Sequence, residues 1–136
     1  MLKMFSTAPI RKWTFIFLAA FVVLAIASMI VGISDNPPGI VLAFFSCAAL
    51  ILAFVHYWRT SRQFLFLVLA AVIAFLFFAL THGFFEMYGS KTGDTGFLGS
   101  AMEIIGGSFF MAAVLLCPAG LLVGIVGAFI MAFRSK

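Results

Sequence analysis

Trp13–Ile33 reads WTFIFLAAFVVLAIASMIVGI, a run with no ionisable side chain and none of the strict alternation of a half-buried strand. At ~1.5 Å per residue, such a run forms a helix long enough to cross a hydrocarbon layer of ~30 Å. Three further apolar runs follow, over about 40–58, 64–85 and 104–133. A bilayer interior holds no water to satisfy free amides, so spanning segments are helices or closed barrels, and continuous hydrophobicity excludes the barrel. The expected class is therefore all-α: an integral membrane four-helix bundle, a single membrane domain over residues 1–136. Composition agrees, since 65% of the residues are apolar and 9% charged, against ~45–50% and ~25% in soluble domains.

Charge orders the ladder. Lys3, Arg11, Lys12, Arg59, Arg62, Arg134 and Lys136 fall on one side of the spans, whereas Asp35, Glu86, Asp94 and Glu103 fall on the other or at its border, with Lys91 the single base among them. Basic residues in short flanking segments mark the cytoplasmic side, so both termini are expected inside a bacterial-type cytoplasmic (inner) membrane. The formal charge of +4 is thereby read as a topology signal, and nucleic acid is not an expected partner. Trp13, Tyr57 and Trp58 then lie at the inner interface, where amphipathic rings anchor, and Tyr88 at the outer one. Ala25-Ile26-Ala27 has the form of a signal-peptidase site, but the apolar run continues past it to Ile33 and exceeds a signal-peptide core, so an uncleaved anchor is expected.

Pro37 and Pro38 stop the first span. A longer outer loop is expected over 89–96, where small polar residues show no periodicity. The fourth stretch offers ~45 Å of helix, more than the hydrocarbon core needs, so a break is expected at Gly106-Gly107 and a kink at Pro118. Cys47 and Cys117 both lie in apolar runs and read as packing residues without a disulfide.

Packing is written most clearly in the fourth span. Ala113, Cys117, Gly120, Gly124 and Gly127 recur at an average of 3.5 residues, which places small side chains on one stripe that another backbone can approach. The neighbour is either another helix of this chain or a second subunit, which makes a homo-oligomer or other membrane subunits expected partners beside the lipid bilayer.

Few residues could do chemistry. His82 and Glu86 are four apart and share a helical face, and Glu103 opens the fourth span, so antiparallel neighbours would gather an outer ion or proton site. Interfacial solvation alone would also account for them. His56 and His82 belong to opposite faces, so they cannot ligate one haem, and no cofactor is expected. Lys91-Thr92-Gly93 and Asp94-Thr95-Gly96 mimic enzyme triplets but lack the partners those chemistries require. No catalytic residue is assigned. In size and span count the chain is similar to the four-helix small multidrug transporters, but their embedded first-span glutamate has no counterpart in 13–33. The sequence thus points to a non-enzymatic scaffold or accessory subunit acting through helix–helix contacts, or alternatively to a small oligomeric transporter or channel using His82, Glu86 and Glu103.

Overall fold

The computed structural model describes residues 8–33, 36–92 and 96–134, with side chains described over 11–33, 36–89 and 96–134. Lys3, Asp35, Asp94 and Lys136 of the charge ladder, and the side chain of Lys91, lie outside that set. Every regular element among the described residues is helical: α1 (Ala8–Val31), α2 (Pro37–Val55), α3 (Ser61–Thr92), α4 (Phe97–Met111), a π turn (Ala112–Leu116) and α5 (Cys117–Arg134). α4, the π turn and α5 run on as one long span, so four helical rods are long and apolar enough to cross a membrane, the signature of a multi-pass membrane protein.

The rods do not close into a ring. α1 lies against α2 alone, and no Cα of it comes within 8 Å of α3, α4 or α5. α2 and α3, although consecutive in sequence, do not touch by the same measure, because α5 lies between them and packs on both. The expected bundle is therefore better described as a row in the order α1, α2, fourth span, α3, with α4 paired to the far half of α3. A row suffices in lipid. In a bilayer, hydrocarbon would solvate the large apolar side chains left outside, such as Val23 at 65% exposed and Ile30 at 80%, and no second layer would be needed to cover them.

The α1/α2 hairpin is pinned by backbone groups. Gly32 ends α1 in the left-handed region (φ 89°), its amide donating to the Ser28 carbonyl at 2.9 Å, a helix stop that only glycine adopts without strain. Asn36, which precedes the two prolines of α2, donates from Nδ2 to the Val31 carbonyl at 2.7 Å and so satisfies the end of the preceding helix rather than the start of its own. Gly39 then abuts Gly32 so closely that any Cβ there would overlap the Gly32 carbonyl. Lower in the pair, the Ser46 hydroxyl crosses from α2 to donate to the Phe21 carbonyl at 3.1 Å. α3 opens on Gln63, whose Oε1 accepts from the amides of Arg59 and Thr60 at 3.2 and 3.3 Å, the glutamine arm of a capping box.

The middle of the row is built on the small-residue stripe. Gly120 faces Ala71 on α3 and Ile51 on α2, Gly124 faces the backbone of Phe64 and Val68, and Gly127 lies on the ring of Phe64. That ring is buried and meets Trp58 edge-on, with centroids 5.4 Å apart. Ala113 and Cys117 are buried in the same span. The stripe is thus occupied by neighbours within the chain. Cys47 and Cys117 are free thiols.

Three sequence expectations change, the first being that Gly32 stops α1 whereas Pro37 and Pro38 open α2. α3 continues through Gly89 to Thr92 instead of ending near Phe85, because one helical glycine costs only ~1 kcal/mol and Tyr88 packs on Phe84 one turn back, centroids 4.9 Å apart. Gly106-Gly107 does not break the fourth span either: both residues are ordinary members of α4. The irregularity sits at Ala112–Leu116, immediately before Pro118. The Pro118 ring cannot donate to Val114 and would crowd its carbonyl, and a wider turn relieves that crowding, with the Cys117 amide reaching five residues back to Ala112.

Candidate functional site

His82, Glu86 and Glu103 line one open cleft of about 650 Å³ between α3 and α4, at the end of the row opposite the Trp13 and Trp58 collar. The cleft exists because α3 and α4 approach closely just below it. Phe109 of α4 stacks on Phe85 of α3 (6.2 Å, interplanar angle 9°) and meets Phe78 at 5.7 Å, and Gly106 is buried where a Cβ would come within 3.2 Å of the Phe85 Cβ. Glycine at 106 therefore sets the distance between the two helices.

That distance fixes the imidazole. His82 Nδ1 lies 2.9 Å from the Gly106 carbonyl, and since a carbonyl only accepts, Nδ1 carries the proton. The ring also packs on Phe110, with centroids 5.0 Å apart. Nε2 is left facing Glu86 Oε2 at 3.7 Å, too far for a hydrogen bond but within reach of an ion pair when the ring is charged. Glu86 itself is 75% exposed, so the helical pair contributes under ~0.5 kcal/mol to stability. A neutral His82 and an ionised Glu86 both accept hydrogen bonds, so what fits between them is a donor: a proton, a water or a donating cation.

Glu103 lines the same cleft without completing a coordination sphere. Among the described residues, no three His, Cys, Asp or Glu side chains converge in a way that could hold a metal ion. The three residues singled out in the sequence share one cleft. The Gly106 carbonyl was missed. Its signal was present in the glycine pair near the start of the fourth span, read as a break when it marks a close approach.

The hydroxyls that a polar path through the row would use are engaged locally. Ser28, Thr81 and Ser108 each donate to a carbonyl of their own helix, to Ala25, Phe77 and Ile104, and Ser46 donates to Phe21 of α1.

At the opposite end, a cavity of about 400 Å³ is lined by His56, Tyr57, Trp58 and Arg59 from the turn after α2, together with Trp13 from the start of α1 and Arg134 from the end of α5. Both ends of the described chain therefore lie at one end of the row. His56 Nδ1 sits 3.1 Å from the carbonyls of Leu52 and Ala53, and its ring packs on Phe17 with centroids 5.7 Å apart. Its Nε2 is buried with no hydrogen-bond partner among the described residues.

Compared with known proteins, the chain matches no family model, no curated protein and no solved structure.

Proposed function

We propose that this chain is a non-enzymatic accessory subunit of a cytoplasmic (inner) membrane, with both termini on the cytoplasmic side, that works through lateral helix contacts with a second copy or another membrane subunit. The orientation rests on the lysine and arginine distribution of the sequence. The observation that carries the subunit reading is the open row. The glycine stripe, the most obvious docking element in the sequence, is spent on α3 and α2, whereas α1 has one neighbour and turns Val23, Ile26 and Ile30 outward. The contact element is accordingly α1 rather than α5.

Photo-crosslinking in the native membrane tests this directly. A benzophenone side chain at Val23 or Ile30 is expected to give discrete protein adducts, while the same group at Leu80, 75% exposed on α3, gives lipid adducts. Lipid adducts alone at every position would refute the assignment.

A second reading, a small oligomeric transporter or channel, is favoured by the anchored His82 beside Glu86 in the cleft. A row encloses no lumen, so a second copy would have to close the path. In proteoliposomes, Glu86→Gln and Glu103→Gln are each expected to lower proton flux several-fold on this reading. Flux unchanged in both variants removes the cleft from any transport role.

A further inference from the structure

We propose that the basic end of the row holds an anionic phospholipid, its phosphodiester headgroup seated between Arg59 and Arg134. This inference rests on the chain spanning a membrane and is independent of whether α1 docks a partner.

Arg59 and Arg134 come from separate elements, the turn after α2 and the last turn of α5, yet line the same cavity of about 400 Å³. No carboxylate among the described residues lines it, and the one side-chain ion pair among them is at the other end of the row. Neither guanidinium has an ion-pairing or hydrogen-bonding side-chain partner among the described residues. Two like charges lining one cavity repel, and an anion held by both turns that repulsion into two charge-assisted contacts. Guanidinium forks match the paired oxygens of a phosphodiester in a way a point charge does not.

The surroundings select a lipid over a soluble anion. The cavity walls carry Trp13 and Trp58, rings suited to the glycerol-ester level of a bilayer. Residues of α1 and α5 both reach the cavity although no Cα of one helix lies within 8 Å of the other. The cavity therefore lies where α1 and α5 meet through side chains alone, with Phe17 and Met131 supplying apolar lining against which an acyl chain can lie. Arg11 and Lys12, which line a shallower cavity beside Phe15 and Ile16 on α1, extend the positive field around the mouth.

The protein's own reporters make the test direct, because its two tryptophans, Trp13 and Trp58, both line the cavity. The full chain in neutral detergent is titrated with phosphatidylglycerol, phosphatidylcholine and inorganic phosphate, following tryptophan emission. Phosphatidylglycerol is expected to saturate the signal with an affinity about 30-fold above phosphatidylcholine, from two arginines near the surface. The Arg59→Gln/Arg134→Gln double variant is expected to lose that preference, while Arg62→Gln, outside the cavity, keeps it. Helicity by circular dichroism and retained binding of phosphatidylcholine show that the double variant is folded; if it is not, Arg59→Lys/Arg134→Lys, which keeps the charge and loses the forks, must show a reduced preference. Equal affinity for the two lipids, equal loss in Arg62→Gln, or inorganic phosphate competing at the lipid's own concentration would each overturn the proposal. None of these outcomes bears on crosslinking from α1, so the two assignments fail separately.

Discussion

Gly124→Leu should loosen α5 from α3 and cost roughly 3 kcal/mol, the upper range for forcing extra methylenes into a packed interior. The reason is the nature of the neighbours. A Cβ at 124 would lie 2.7 Å from Val68 Cγ2, which can swing aside, but also 3.2 Å from the Phe64 carbonyl oxygen and the Val68 amide nitrogen, which cannot move without moving α3. Leucine adds further atoms to a gap that will not admit the first. Gly124→Ala is expected to fall between leucine and the native residue. Cys117, 3% exposed on the same helix, supplies the readout. In a Cys47→Ala background, its maleimide labelling in mild detergent should be slow with glycine at 124, faster in the alanine variant and faster still in the leucine variant, with thermal midpoints falling in the same order. Unchanged labelling and midpoint in Gly124→Leu would mean that α5 and α3 are not packed as described.

Gly39→Ala should have the more local and more complete effect. The atom its Cβ would overlap is the Gly32 carbonyl oxygen, and the backbone around Gly32 is itself fixed by the left-handed φ and the hydrogen bond its amide donates to the Ser28 carbonyl. No rotamer change relieves a backbone collision, so the hairpin must open. Among the described residues, α1 has no other helix to hold it. Ser28, 3% exposed, gives the measurement: in a Ser28→Cys background, labelling should be slow with the native glycine at 39 and rapid in Gly39→Ala. Gly32→Ala in the same background is expected to be milder, costing ~1–2 kcal/mol of left-handed strain without a collision. Equal labelling with glycine and alanine at 39 would sink the hairpin geometry.

Both variants involve glycines, and glycines also mark where the sequence was readable and where it was not. The existence and number of the spans follow from transfer energetics, which act residue by residue and so survive in one dimension. The stripe from Ala113 to Gly127 was equally visible, as was the disturbance before Pro118, because helical periodicity and a missing amide are local properties. What the stripe faces is not local. Either a helix of this chain or a foreign one satisfies the same small-residue pattern, and Phe64 and Val68 are not marked in the sequence as its occupants. Gly106 was misread for the same reason: glycine weakens a helix and also admits a neighbour, and only the position of Phe85 and His82 decides between them. His82, Glu86 and Glu103 were recognisable as a group because helical spacing and antiparallel order bring them to one end, but the carbonyl that orients the imidazole carries no side-chain signature. The row itself had no signature at all. Four apolar rods with outward Phe and Leu read identically whether they close on themselves or stand side by side, since lipid accepts either surface.

The position of α5 between α2 and α3 has a consequence for biogenesis. Of the four rods, the one that lies between α2 and α3 is made after both, so those two cannot reach their shared neighbour until it has been synthesised. α1 with α2 can insert as a finished pair, but α3 must wait beside a place kept for a helix not yet made. A chain that stops before residue 117 therefore carries the pairs α1 with α2 and α3 with α4 but lacks the helix that joins them.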